Sequence, residues 1–287
     1  MYKPSLLFSA LLLPFALQAQ LPSGKLVLQK GDIIKIHTEM TSSNKQSMGG
    51  GEPMEMKTST QTYTELEVKE VQDKKYILNE TLKKMKMDFD GFGQKTHYDS
   101  ESKEKQDNPF LQSVTEKLGV AEEIQLGMDG KLIEDPAKDK EKEGHGHKEG
   151  GMRGGGRMMK MNGMGNSNTA ETAFLIVPAD AITKGGWEET TEKDGLKTRR
   201  KYTIGGTMGN MVTVNVQSQT KGTIDMNRGG MPVSSKVNTL TEEMILVDIQ
   251  TGKVQMHTIH LTNNGTTTVN GQENPSTGDT TITTTIE

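Results

Sequence analysis

The densest run of metal-ligating side chains comprises His145 and His147, followed by Met152, Met158, Met159, Met161 and Met164 on a glycine-rich tether. Imidazole nitrogens with thioether sulfurs suit copper, the soft sulfurs favouring the reduced ion. Two histidines two residues apart in a pliant segment can reach one metal. The same composition also describes a solvated linker, and with 19 methionines in 287 residues the linker is the stronger reading. His257 and His260 are separated by an odd interval, which on a strand sends their side chains to opposite faces and makes them poor partners for one ion. His37 and His97 stand alone. Trp187 is the single tryptophan in an aromatic-poor chain. It is either a core anchor or a ligand platform, and an aromatic ring of that size belongs first to a core.

Catalytic patterns are weaker. There is no cysteine, no Gly-x-Ser-x-Gly elbow and no serine near a structured histidine. Gly91-Phe92-Gly93-Gln94-Lys95-Thr96 misses the phosphate loop, because Gln94 separates the glycine from the lysine and no helix follows. A glycosidase needs two carboxylates at a set separation, and 38 acidic residues do not single out a pair.

The elements that must position these residues are strands. Ile34, Ile36, Thr38 and Met40 share one parity, as do Thr58 to Thr64 with Leu66 and Val68, with Lys and Glu opposite. Ser42 to Glu55, carrying three glycines and Pro53, reads as a loop. Gln72 to Lys75 is a hairpin turn, and the return strand Tyr76 to Phe89 changes parity near Lys83-Lys84, which calls for a β-bulge. Asn108 as cap, Pro109 at the first position and Phe110, Leu111, Val114 and Leu118 at helical spacing predict one short helix. Further strands are expected at Trp187–Thr191, Thr198–Ile204, Met211–Ser218, Val237–Ile249, Lys253–Thr262 and Thr280–Ile286. Met244 to Ile249 is apolar in both parities and reads as the most central strand. Gly252 occupies the turn position that needs positive φ.

These patterns predict a mainly β fold, a twisted antiparallel sheet or sheets. The echo between Gly31-Asp32 and Gly185-Gly186-Trp187, each ahead of long strands, fits two related halves. The expected organisation is a signal peptide over 1–19, a β-rich half over 20–134, a disordered His/Met/Gly-rich insertion over 135–169 and a second β-rich half over 170–287. The leader is read from Lys3, the apolar run Leu6 to Leu17 and a cut after Ala19. That run falls short of the roughly 20 residues a membrane span needs. Without cysteine there is no lipoprotein anchor, so a periplasmic or extracellular protein is expected. A net charge of −4 with mixed signs offers no field for nucleic acid. Six Phe, five Tyr and one Trp cannot build the two aromatic girdles of an outer-membrane barrel.

The strand opening Leu28, Gly31, Asp32, the Thr/Met-rich second strand, the turn Asp248, Thr251, Gly252, Val254 and the segment Val177, Pro178, Gly185, Trp187 resemble an uncharacterised family of exported proteins from Bacteroidota. The resemblance covers nearly the whole mature chain and implies export and β content, with no activity to carry over. The insertion from Gly144 to Gly165 departs from it. The expected function is therefore non-enzymatic: a binding or assembly protein with a half-polar sheet face, taking a small amphiphile, a peptide or a protein. Copper binding through the insertion and an exported hydrolase with paired carboxylates are the alternatives.

Overall fold

The computed structural model describes residues 24–47, 51–102, 115–133, 169–228 and 231–287, with side chains at all of these except 226–228 and 231. The leader, the helix start at Asn108 to Val114 and the segment 135–168 lie outside the described residues.

Alternating sequence produces strands here because each places its apolar parity on one face. β1 (Ile33–Gln46), β2 (Met54–Val71), β3 (Lys75–Gly91), β4 (Gln94–Asp99) and β5 (Ala121–Gly127) come from the first half. The second half supplies β6 (Gly186–Lys193), β7 (Leu196–Met208), β8 (Met211–Arg228), β9 (Met231–Asp248), β10 (Val254–Val269) and β11 (Gln272–Ile286). All belong to one open antiparallel sheet in the order β4-β3-β2-β1-β11-β10-β9-β8-β7-β6, with β5 pairing β3 beside the path. The bulge falls where the parity change demands it: Tyr63 opposes Lys84 while Thr64 opposes Leu82, leaving Lys83 unpaired.

Two expectations are corrected. The stretch expected as a loop from Ser42 to Glu55 is strand at both ends: the backbone of Ser42 to Gln46 is paired on both sides, to β2 and to β11, and Met54 and Glu55 open β2. Met244 to Ile249 is interior but not central: β11 and β10 hold the middle. Only its Ile245, Val247 and Ile249 are buried, while Met244 points to the uncovered face and is 39 % exposed. The expected helix from Asn108 to Leu118 lies largely outside the described residues; among these, helices are found at α1 (Thr169–Thr172) and α2 (Ala181–Lys184). Each is one turn, too short to write a helical period into the sequence.

The core occupies one end of one face, which we call inner. Leu26, Leu28, Ile34, Ile36, Leu66, Val68, Leu78 and Leu126 form one cluster with Ala170, Ala173 and Phe174. Val212, Val214, Val216, Ile245, Val247, Val254 and Tyr202 form a second with Val177 and Ala181. Ile286, the last residue of β11, packs against both. Each fully buried Leu, Ile or Val contributes roughly 1.5–3 kcal/mol, so this end carries the fold. The covering segments are tied by backbone: Leu26 N–H donates to Met128 at 2.8 Å, Leu175 N–H to Gly252 and Val254 N–H to Ala173. The Tyr76 hydroxyl donates to the Leu26 carbonyl at 2.7 Å.

Candidate functional site

Away from that core, the inner face carries the Thr and Met residues that the parity sends inward, several of them buried and two pairs hydrogen-bonded. Met40, Met85, Met87, Ser42, Thr60, Thr280 and Thr284 are buried. The Thr280 hydroxyl donates to Ser42 at 3.0 Å, and Thr38 and Thr284 share a hydrogen bond at 3.2 Å. A half-polar interior bonded largely in this way is structure, although the Thr60 hydroxyl is buried without a hydrogen-bond partner.

Trp187 belongs to this side. Gly185, in the left-handed region at φ 77, ends α2. At Gly186 a Cβ would fall on the Tyr202 carbonyl oxygen, so glycine lets β6 close on β7 and sets Trp187 opposite Tyr202. The two rings stack 4.2 Å apart at 4°. Trp187 is half-buried and packs against the second core cluster, an anchor with a polar border. In that border the Tyr202 hydroxyl donates to Glu189 at 3.2 Å, and burial, with help from Glu189, pushes its pKa up to about 12. Burial works against the Arg200 charge, but the Tyr202 hydroxyl, Glu243 and Glu189 outweigh it and hold the guanidinium protonated. His257 Nε2 lies 2.8 Å from Glu243 Oε2. The two histidines of β10 do part: His257 is buried on the inner face and His260 exposed on the other.

The outer face carries two hollows, of about 720 Å³ and about 580 Å³. A twisted sheet is a saddle, so each face is concave along one diagonal. Strand register connects the hollows. One row of directly opposed residues crosses all ten strands: His97, Asp88, Ser59, Thr41, Thr281, His260, Glu242, Gln217, Lys201, Glu188. The next row on the same face is Lys95, Asp90, Lys57, Ser43, Asp279, Thr262, Leu240, Gln219, Arg199, Thr190. The first hollow is lined by nine of these from Lys95 and His97 to Asp279, the second by eight from Leu240 and Glu242 to Glu188 and Thr190. Only Thr281, His260 and Thr262 of the two rows line neither. At about 4.8 Å per strand the rows extend about 43 Å.

The side chains of the two rows, which we call the trough, are almost all polar and nearly balanced in charge. Its carboxylates Asp88, Asp90 and Asp279 pair with His97 at 2.7 Å, Lys95 at 3.1 Å and His260 at 3.6 Å. Side chains spread along it rather than converging on one point. Among the described residues no group of three or more His, Asp or Glu is placed to hold a metal ion, and no helix is long and apolar enough to cross a membrane. His145, His147, Met152, Met158, Met159 and Met161, the copper candidates, lie outside the described residues. Sequence reading missed the trough because none of its residues is unusual alone; the only signal was Lys, Glu, Ser and Thr in the outward parity of several strands.

No protein-family model matches the chain, and no curated protein is significantly similar to it. Among solved structures it is similar to lipovitellin, at 10 % identity and a TM-score of 0.45. That likeness covers 91 % of this chain but only 25 % of the lipovitellin chain, so the protein spans about a quarter of that relative's length. An outer membrane channel from Pseudomonas putida F1 is similar at 8 % identity and a TM-score of 0.26, over 93 % of this chain and 99 % of the channel. OccK5 from Pseudomonas aeruginosa follows at 7 % and 0.25, over 89 % and 98 % of the two chains. Likenesses this slight carry no functional argument.

Proposed function

We propose that this chain is an exported, non-enzymatic binding or assembly protein that holds an extended partner along the outward trough. The observation that carries the reading is the alignment of two hollows on the same two register rows, crossing every strand of the path. An elongated, exposed surface whose acids and bases engage one another suits recognition, whereas catalysis needs a nucleophile, acid or base converging on one reacting atom. The binding face thereby moves from the Thr/Met side, where several of these residues are buried, to its opposite. The apolar run Leu6 to Leu17 supports export.

The test is native mass spectrometry of the purified full chain beside Thr262→Trp, which raises a bulky ring at the saddle between the hollows. A non-covalent adduct on the parent chain that is lost from the variant is the expected result. An adduct retained equally by both chains places the partner elsewhere and overturns the proposal.

A further inference from the structure

We infer that the partner in the trough is a neutral linear polysaccharide held through its hydroxyl groups, an inference that rests on the trough being the binding face. The side chains offer mixed donors and acceptors at short intervals: the amides of Gln217 and Gln219, the hydroxyls of Ser43 and Ser59, and the carboxylates of Asp88 and Asp279. An ionised carboxylate only accepts and can take two hydroxyl donors at once, which is what vicinal sugar hydroxyls present. Because the acids already face His97, Lys95 and His260, the trough has little net charge to reward a polyanion.

Two other occupants fit less well. An extended peptide gains affinity by pairing its backbone with a free sheet edge, but the only free edges under the rows are those of the end strands β4 and β6, and a peptide paired there would run along the strands and not along rows that cross them. A lipid needs a dry apolar lining, and the large apolar side chains at the hollows are only Phe89 in the first and Leu240, 46 % exposed, in the second. Leu240 and the aliphatic stem of Lys201 suit the C–H face of a sugar ring, since long charged side chains cover apolar surface with their methylenes.

Affinity electrophoresis of the full chain tests this, with gels containing a linear α-glucan, a β-glucan or a mannan, beside polygalacturonate, and a parallel assay on an extended-peptide library. Retardation by at least one neutral polymer is expected, persisting in about 0.5 M NaCl, where exposed charge interactions are largely screened. Gln217→Ala with Gln219→Ala in one hollow, and Asp88→Ala in the other, are each expected to weaken it about tenfold. Their circular dichroism should match the parent, because all three side chains face solvent on an already paired sheet. Binding only to polygalacturonate and lost in salt, or only to peptides, would overturn the neutral glycan and leave the trough reading standing. Neutral-polymer binding untouched by either variant would move the site away and overturn both. If no polymer or peptide binds, the inference fails, and the Thr262→Trp adduct experiment decides the trough reading separately.

Discussion

Glu80 is the residue whose chemistry is most altered by its place. It stands on β3 directly opposite Glu122 of β5 and Leu66 of β2, on the core face. Burial raises its pKa above the ordinary glutamate value and Glu122 adds to that, while a hydrogen bond with Thr169 and the Lys117 charge oppose it. A carboxyl raised in the folded state binds its proton more tightly there than in the unfolded chain. Its stabilising effect is therefore complete below the unfolded value of about 4.3 and is lost as pH rises through the folded value. Glu80→Gln should match the wild-type urea midpoint at pH near 4 and exceed it at pH near 8. Equal pH slopes for the two chains would refute the assignment. Part of this scale was legible in sequence: the odd spacing of His257 and His260 separates them, as observed. The Glu243 partner of His257 was not, because it arrives diagonally from the neighbouring strand, whose register no local pattern states.

At the scale of elements, the β9–β10 turn shows how a short motif does structural rather than chemical work. Asp248 Oδ1 accepts from the backbone N–H of Gln250 at 2.8 Å and of Thr251 at 3.2 Å, and Gly252 N–H donates to the Asp248 carbonyl at 2.7 Å. Gly252 sits at φ +74, and a Cβ there would meet Ile176 Cδ1 at 2.5 Å. Gly252→Ala thus combines backbone strain with a core clash and should cost about 1–3 kcal/mol in chemical denaturation. Gly271→Ala, also at positive φ (+80) but in open space, should cost only about 1 kcal/mol. Similar losses would show that the turn is not locked to the core. The positive φ at Gly252 was readable from the turn sequence. The clash was not, because Ile176 reaches it from another segment.

For the whole molecule, the decisive pairing is β1 with β11. It joins the strands of the first half to those of the second through eleven opposed residue pairs from Ile36–Ile286 to Gln46–Ser276. Ile286 at its end touches both core clusters. Deleting 277–287 should abolish the single cooperative thermal transition and expose apolar surface to a dye such as ANS. A truncated chain that still melts in one sharp transition near the parent temperature would show that the halves do not depend on this seam. Long non-local pairing of this kind is invisible to local pattern, since loop closure over more than 200 residues leaves no trace in any window of sequence.

By itself the sequence determined that this chain is mainly β, which parity faces the core, where the bulge at Lys83 falls and which glycine turns with positive φ. Each follows from local backbone geometry and a two-residue period. Tertiary structure alone decided that Ser42 to Gln46 is strand, and that outward residues of ten strands align in two rows carrying two hollows. Those depend on register and saddle twist, which emerge only when distant strands pair.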